Sequence, residues 1–305
     1  MDYSGWADWQ PSPLTNTGSP AEIMFRAGQN ALRVTVEVDD PATAPTRRLN
    51  KACAAMAALG GTPPDPILCD IIALAQARGP LTYGARLQIT HTGDRCDTVL
   101  LVELPAQGAG LARHLMPEVG AGLALIDQPL HLTMLSYDGK SGALSLHGTI
   151  FGATRHHLPP LADISGVAPD WLAMAIDGLA EIGTKDPFPA TNLGFSFAAK
   201  TPGQPPELTV FLAAKELFGN DDKSFQRVMA CGGRRMRGYA ALLQQTHPAP
   251  PGMTLHGQIG LTARAGNPPV LSVNVAAPWS RQPANPLQSE DGLEDADLEL
   301  RVSCL

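Results

Sequence analysis

Apolar and polar residues alternate with a period of two in ten short segments, which predicts β-strands with one apolar and one polar face. In residues 32–38, for example, Leu and Val alternate with Arg, Thr and Glu. The segments come in pairs joined by links rich in Gly, Asn, Asp and Pro, which are typical of hairpin turns. The five predicted hairpins are 22–26 with 32–38, 82–90 with 98–104, 130–136 with 143–150, 193–198 with 208–213, and 255–263 with 270–276.

The stretches between the hairpins carry helix signals. Residues 46–59 begin after Pro45 and end at two glycines, and residues 65–77 end shortly before Gly79, which fits the usual start and stop signals of helices. The chain is thus predicted to be a repeat of hairpin-plus-helix units. Further helices are expected over 108–122, 169–182 and 223–245, the last interrupted at the glycines at 232 and 233.

The polar faces of the predicted strands help to distinguish an open sheet from a closed barrel. Amphipathic helices can cover the apolar face of the sheet, which leaves the polar face toward bulk water or toward an enclosed lumen. An open sheet of ten antiparallel strands would have two long unpaired edges, whereas a closed barrel has none. The predicted fold is therefore α+β, a ten-stranded antiparallel barrel with helices outside and a polar lumen. An open sheet or two packed half-domains is the alternative.

Composition and charge exclude several classes of protein. The 305 residues are 44% apolar, enough for a sizeable core, and carry a formal net charge of −7, which argues against a nucleic-acid-binding surface. No apolar run reaches the ~18 residues of a membrane span. The first residues lack the basic and apolar regions of a secretory signal. Since the five cysteines are also widely spaced, we expect reduced thiols in a cytoplasmic protein.

We expect one barrel domain over residues 21–280, an arm over 1–20 and an acidic tail over 281–305. Trp6 and Trp9 would pack the arm across one mouth of the barrel. The tripeptide at 155–157 is interpreted as a surface connection, and the arginines at 234, 235 and 237 as a solvated helix face or as a group that closes over an anion. The sequence has no P-loop, no GxSxG and no GxGxxG after a strand, so nucleotide-cofactor and acyl-enzyme chemistry lack support.

The inward positions of the predicted strands carry charged and imidazole side chains. His131 and His147 fall almost symmetrically about the third turn, so they should face each other on adjacent strands with Cβ atoms roughly 5 Å apart. Such a pair could transfer protons near neutral pH, bind a metal with a third ligand, or merely hydrogen-bond in a polar lumen. No helical HxxxH spacing supports a metal site, and none is predicted. The expected lumen residues are Glu22, Arg26, Arg33, Glu37, Arg86, His131, His147, His256 and Arg264.

Three short stretches add to the repeat pattern: 32–38 followed by Asp-Asp-Pro, 206–212 followed by Gly219-Asn-Asp, and a last hairpin that ends at Pro278. With the five repeated units, they make the chain from about Glu22 to Pro278 resemble the ABBA, or PT-barrel, aromatic prenyltransferases, and best their dimethylallyltryptophan-synthase-like branch. The resemblance implies a PT barrel that transfers a prenyl group from a prenyl diphosphate to an electron-rich, indole-like acceptor in the lumen. It implies no cofactor and no requirement for Mg²⁺.

The resemblance also implies roles for individual residues. In the tryptophan branch a glutamate that accepts the proton stands eleven residues before an arginine that binds the diphosphate, and Glu22 and Arg33 have this spacing. Arg86 stands near the position of a diphosphate-binding lysine, with Arg26 and Arg264 as further candidates. The other residues assigned to the substrate site are His256, Thr209, Phe211 and Tyr137, while His131 and His147 are catalytic candidates on their own chemistry.

The sequence departs from this family at inward positions that usually carry Lys, Arg or Tyr. Three functions therefore stay open: an aromatic prenyltransferase with an altered pocket, a PT-barrel enzyme that performs acid–base chemistry on a small natural-product intermediate, and a non-catalytic small-molecule binder. The expected partners are small molecules, and the chain would be a monomer or a homodimer. The residues expected at the departing positions are Leu100, Val102, Ser145, His147, Thr149, Thr209, Phe211, Ser272 and Asn274.

Overall fold

A computed structural model describes residues 12, 15, 17–40, 42–93, 95–108, 110, 114–126, 130–180, 192–199, 203–244 and 254–277. Within them the chain forms ten strands at the places where the residue alternation predicts them. The strands are β1 Ala21–Arg26, β2 Leu32–Glu37, β3 Ala85–Thr92, β4 Arg95–Glu103, β5 Leu130–Asp138, β6 Leu144–Phe151, β7 Asn192–Ala198, β8 Glu207–Ala213, β9 His256–Arg264 and β10 Asn267–Ala276.

The ten strands form one closed antiparallel barrel. Each strand pairs with its neighbours in sequence, and β1 and β10 pair with each other in a register that places Ile23 opposite Val275 and Arg26 opposite Ser272. Closure provides hydrogen-bond partners for the backbone groups that two free strand edges would leave unpaired. The prediction of a closed barrel is confirmed, and the alternatives of an open sheet or two half-domains are wrong.

Helices cover the barrel between consecutive hairpins. The described α-helices are α1 Arg48–Ala58, α2 Pro66–Gln76, α3 Pro117–Leu123, α4 Leu158–Ile164, α5 Pro169–Ala180, α6 Ala214–Phe218, α7 Asp221–Gly232 and α8 Arg237–Gln244. At the start of α2, the Asp65 carboxylate accepts a 2.9 Å hydrogen bond from the Leu68 N–H. Pro66 occupies the first position of the helix, where its lack of an N–H costs no hydrogen bond. The predicted break at the two glycines is confirmed as a 3₁₀ helix, Gly233–Met236, between α7 and α8.

The sequence pattern does not predict the short helices α4 and α6. Residues Arg155–His157 form a 3₁₀ helix that leads into α4, so their interpretation as a surface connection is wrong. His157 is buried, and its Nδ1 accepts a 2.8 Å hydrogen bond from the Thr154 N–H at the start of that helix. The arm with Trp6 and Trp9 and the acidic tail lie outside the described residues.

The hydrophobic core lies between the outer face of the barrel and the helices. Outward strand residues such as Leu87, Leu100, Phe195 and Val210 are at most 1% exposed, and helix residues such as Ile72 belong to the same cluster. Because this outer layer buries the large apolar side chains, the inward positions can carry polar and charged groups and the hydrophobic core stays intact.

His256 belongs to this outer layer, and its predicted place in the lumen is wrong. The register between β9 and β10 shifts between Val273 and Val275, so His256 pairs with the outward Val275. Its Nδ1 lies 2.7 Å from Asp221 Oδ1, and its Nε2 lies 2.7 Å from the hydroxyl oxygen of the buried Tyr239. The Asp221 carboxylate also accepts the His256 N–H at 2.9 Å, so this network ties α7 and α8 to the start of β9.

We expect Tyr239→Phe to lower the free energy of unfolding by about 1–3 kcal/mol, because it leaves a buried imidazole nitrogen without its partner. Denaturant-induced unfolding measures this loss. Tyr137→Phe is the matched control, since Tyr137 packs on the outer layer without such a hydrogen bond, and it should change the value by less than about 0.5 kcal/mol. Equal stability of Tyr239→Phe and wild type would show that the network does not hold these helices.

Candidate active site

The lumen has two chemically different ends. All five hairpin turns lie at one end, called the turn end, and the connections to the helices lie at the other, called the helix end. The strand registers bring into the lumen Glu22, Met24 and Arg26 of β1, Arg33 and Thr35 of β2, Arg86 of β3, Ser136 of β5, His147 of β6, Glu207, Thr209 and Phe211 of β8, Gly260, Thr262 and Arg264 of β9, and Ser272 and Asn274 of β10.

Leu100, Val102 and Tyr137 face outward, so their predicted place in the lumen is wrong. Leu100 is fully buried under the helices, and Tyr137 is its register partner on β5. The inward residues of this part of β4 are Val99 and Leu101. All four consecutive positions are apolar, so alternation alone cannot tell the two faces of this strand apart.

Three arginines and one glutamate meet at the turn end; Arg26, Arg33, Arg264 and Glu207 are called the arginine cluster. Arg26 Nη1 lies 3.9 Å from Glu207 Oε1, and Arg264 Nε donates a hydrogen bond to Glu207 Oε2. Burial lowers the pKa of Arg26; Glu207 opposes this effect and Arg264 reinforces it. Burial lowers the pKa of Arg33 too, and Arg26 reinforces that effect. The four side chains therefore act as one electrostatic unit.

The arginine cluster has capacity for a further anion. Three guanidinium groups and one carboxylate leave it a formal charge of +2. The Nε–H groups of Arg26 and Arg33 are buried and have no hydrogen-bond partner among the described residues. A buried donor without an acceptor is costly, and phosphate and carboxylate oxygens match the geometry of a guanidinium group. The side chain of Arg264 is 54% exposed, so solvent reaches the cluster from the turn end.

Glu22 lies toward the helix end in a buried polar pocket. Its Oε1 accepts a 3.0 Å hydrogen bond from the Thr17 hydroxyl, and the carboxylate also hydrogen-bonds Asn274. Burial raises the pKa of Glu22, while the Thr17 hydrogen bond and the charge of Arg86 oppose the rise. A Cβ atom at Gly257 would lie 2.8 Å from Oε1, so the close backbone approach at this position helps to enclose the carboxylate.

The strand register places Arg33 and Glu22 on neighbouring strands, one inward position apart. Glu22 pairs with Thr35, and Arg33 is the next inward residue along the same strand, opposite Met24. Such diagonal neighbours have Cα atoms about 7–8 Å apart. The lumen thus places a base of raised pKa one inward step from a group that can hold an anion.

Tyr83 is a lumen-side aromatic residue that the sequence pattern misses. Its ring centroid lies 4.3 Å from Arg86 Cζ, and burial raises the pKa of Tyr83 to about 12. Alternation through residue 83 places it on the apolar face with Ala85. However, β3 begins only at Ala85, and Gly84 adopts a left-handed conformation with φ +70°, so the alternation does not extend back to Tyr83.

His131 and His147 do not face each other, so the predicted pair is wrong. A register shift between Leu132 and Met134 places His131 opposite Thr149 and His147 opposite Met134. His131 is exposed and packs edge-to-face on Phe151 at the helix end, with ring centroids 4.9 Å apart.

His147 lies in the lumen, and its Nε2 is 3.0 Å from the Ser136 hydroxyl oxygen. Burial lowers the pKa of His147 to about 4, so its imidazole is neutral near pH 7. A neutral imidazole of such low pKa is a poor general acid–base group near neutral pH. The structure therefore favours a hydrogen-bonding role for His147.

Thr209 and Phe211 line the lumen as expected. The Thr209 hydroxyl oxygen lies 3.0 Å from that of Thr262 on the neighbouring strand. Phe211 has glycines at the register positions on both sides, Gly194 and Gly260, and a Cβ atom at Gly260 would lie 3.3 Å from its ring. The ring therefore lies across the neighbouring backbone and supplies an aromatic wall.

Solved structures with the same barrel are aromatic prenyltransferases. 5-Dimethylallyltryptophan synthase from Streptomyces coelicolor superposes with a TM-score of 0.71 at 16% identity, covering 88% of this chain and 85% of that one. 6-Dimethylallyltryptophan synthase from Micromonospora olivasterospora gives 0.70 at 14% identity, with 90% and 86% covered. The prenyltransferase PriB gives 0.65 at 14% identity, with 90% and 84% covered. The chain is a PT barrel.

At these identities the similarity establishes the fold, and the chemistry has to come from the residues of this PT barrel. No family profile and no curated protein sequence matches the chain. Among the described residues, no three His, Cys, Asp or Glu side chains are grouped so as to hold a metal ion. None of the helices in the described part of the chain has the length and apolar character needed to cross a membrane.

We expect Glu207→Gln to bind inorganic pyrophosphate about 3- to 10-fold more tightly than wild type, because it removes the negative charge that competes for Arg26 and Arg264. Calorimetric titration at constant salt measures the change. Asp97→Asn is the control, since Asp97 is the ion-pair partner of Lys140, 3.0 Å away, and not of an arginine in the cluster. Weaker pyrophosphate binding by Glu207→Gln would show that the glutamate supports the anion site.

Proposed function

We propose that this PT barrel transfers a prenyl group from a prenyl diphosphate to an electron-rich, indole-like aromatic ring in the lumen. The observation that supports the proposal most strongly is that the same lumen holds the enclosed carboxylate of Glu22 and two buried Nε–H groups, those of Arg26 and Arg33, with no hydrogen-bond partner among the described residues. An anion-holding group and a base are the two functions that the reaction requires of the protein. The solved complexes of similar fold support the substrate class, since one contains L-tryptophan and dimethylallyl thiolodiphosphate.

In this proposal the arginine cluster receives the diphosphate. The allylic C–O bond breaks, its electron pair leaves with the diphosphate, and the guanidinium groups stabilise the charge that develops on the leaving oxygen. Arg26 and Arg33 would donate through their free Nε–H groups, while Arg264 lies at the exposed rim. Charge-assisted hydrogen bonds of this kind are shorter and stronger than neutral ones.

Glu22 would complete the reaction by accepting a proton. A ring carbon of the acceptor forms the new C–C bond with the allylic cation, and the proton on that carbon then passes to the Glu22 carboxylate, which restores aromaticity. Burial makes the carboxylate more basic than a solvated glutamate, which favours this transfer. Met24, the inward residue between Glu22 and Arg26, would line the path between the base and the anion site.

Aromatic side chains would protect the cation from water. Phe211 offers a ring in the lumen, and Tyr83 offers one beside Arg86. A ring face stabilises a cation by about 0.5–2 kcal/mol. This lining is sparse, because Tyr137 packs on the outer layer and the hydroxyl of Tyr239 bonds His256. We therefore expect a slow enzyme with a loosely defined prenyl site.

The Glu22→Gln variant tests the base. With dimethylallyl or geranyl diphosphate and a panel of indoles including L-tryptophan, turnover should fall 10²–10⁴-fold, the usual cost of removing a general base. The wild-type rate should rise with pH above the ordinary titration range of a glutamate, because the raised pKa keeps Glu22 protonated at lower pH, and Glu22→Gln should lack this rise. Product formation by mass spectrometry measures both effects.

The fold of Glu22→Gln is checked by thermal unfolding. Because burial raises the pKa of Glu22 in the folded state, ionisation costs stability as the pH rises, so the neutral variant should unfold no earlier than wild type at pH 8. Glu118→Gln, an exposed change on α3, should leave turnover unchanged. Full turnover in Glu22→Gln would remove this glutamate from the mechanism.

The Arg33→Gln variant tests the anion site. It should lower turnover about 10²–10³-fold and weaken pyrophosphate binding, because it removes a donor that faces the developing charge. Arg95→Gln changes an exposed arginine at the same end of the barrel and should leave both unchanged. If Arg33→Gln and Glu22→Gln were active while His147→Ala was inactive, the barrel would perform proton chemistry through His147 instead.

A further inference from the structure

A second basic cavity lies outside the barrel, next to the turn end. Its volume is about 520 Å³, within the range of small-molecule sites. The first hairpin turn forms one side and the 3₁₀ helix with the start of α8 forms the other. The residues that give it its character are Phe25, Gln29, Arg234, Arg235, Arg237 and Tyr239.

The backbone of this cavity is anchored on both sides. The Gly28 N–H donates a 3.1 Å hydrogen bond to the Arg235 carbonyl oxygen, which joins the hairpin turn to the 3₁₀ helix. Met236 is buried beneath it, and a Cβ atom at Gly232 would lie only 2.3 Å from Met236 Cγ, so the absence of a side chain at Gly232 allows the methionine to pack closely. The three arginine side chains therefore project from a fixed backbone.

No residue in the described part of the chain compensates the charge of the cavity. Arg234, Arg235 and Arg237 are exposed, no carboxylate is among the lining residues, and the guanidinium groups make no ion pair with any described residue. In a chain of net charge −7, three such cations within four positions create a local positive potential that attracts anions. Arg26, which also lines the cavity, connects it to the arginine cluster of the lumen.

The wall of the cavity beside the barrel is aromatic. Phe25 is an outward residue of β1, and its ring packs edge-to-face against that of Tyr239, with centroids 5.8 Å apart. A Cβ atom at Gly238 would lie 3.5 Å from the Phe25 ring, so the missing side chain leaves this ring accessible from the helix side. Cations along one wall and the Phe25 ring along the other, backed by the buried Tyr239, suit a molecule with an anionic head and an apolar tail.

We propose that this cavity, called the outer basic site, binds a small amphiphilic organic phosphate. The phosphate group contacts Arg234, Arg235 and Arg237, and the apolar part lies against Phe25, whose ring packs on the buried Tyr239. The site lies outside the lumen and shares only Arg26 with the arginine cluster. It does not depend on prenyl transfer, although a prenyl diphosphate belongs to the chemical class that it accepts. Its volume of about 520 Å³ and its aromatic wall favour a small molecule over a polyanion.

Calorimetric titration with geranyl monophosphate tests the proposal, in the Arg33→Gln background so that binding in the lumen is weakened. The triple variant R234Q/R235Q/R237Q should bind at least 10-fold more weakly, and the loss should shrink at high salt because the contact is electrostatic. R47Q/R78Q, which changes two exposed arginines elsewhere, is the control and should bind as its parent does. Thermal unfolding confirms that the exposed changes leave the fold intact.

Two outcomes would overturn the outer basic site. Unchanged affinity in the triple variant would mean that these arginines bind no phosphate. Equal affinity for inorganic phosphate and geranyl monophosphate would mean that Phe25 contacts no apolar tail. Failure of prenyl transfer is a distinct result. Prenyl transfer is tested by measuring turnover in variants of Glu22 and Arg33, whereas the outer basic site is tested by measuring phosphate binding in variants outside the barrel.

Discussion

The pairing of β1 with β10 is the contact on which the lumen depends. The arginine cluster draws its members from β1, β2, β8 and β9, and an open sheet would place the first two at one edge and the last two near the other. The ladder between β1 and β10 brings Arg26 within 3.9 Å of Glu207. Closure also gives every strand an inner and an outer face, so a single shift of register moves a residue from the site to the core.

This dependence explains which parts of the site can be predicted from the sequence. Alternation assigns Glu22, Arg26, Arg33 and Arg86 to the lumen correctly, because β1, β2 and β3 keep a regular period of two. The same regularity, with the turn residues and helix caps, predicts the ten strands and the longer helices. Regular local structure is thus predictable from local pattern.

Leu100 and Val102 are misassigned because β4 is apolar on both faces, and the other errors in the lumen occur where features that leave little trace in the sequence break the period of two. A bulge in β5 separates His131 from His147, and a bulge between β9 and β10 turns His256 toward Tyr239. Gly84, in a left-handed conformation just before β3, interrupts the alternation, so the pattern of β3 does not assign Tyr83 to a face. A bulge depends on how two strands pair, so it cannot be predicted from the residue pattern of either strand alone.

The proposed chemistry rests on few charged groups for a PT barrel, so the position of the anion is the central question. The most direct measurement is a crystal structure with dimethylallyl thiolodiphosphate bound. The diphosphate should lie within hydrogen-bond distance of the Nε atoms of Arg26 and Arg33, with the prenyl chain directed past Met24 toward Glu22. A diphosphate bound only beside Arg86 at the helix end, or only outside the barrel, would contradict the proposed mechanism.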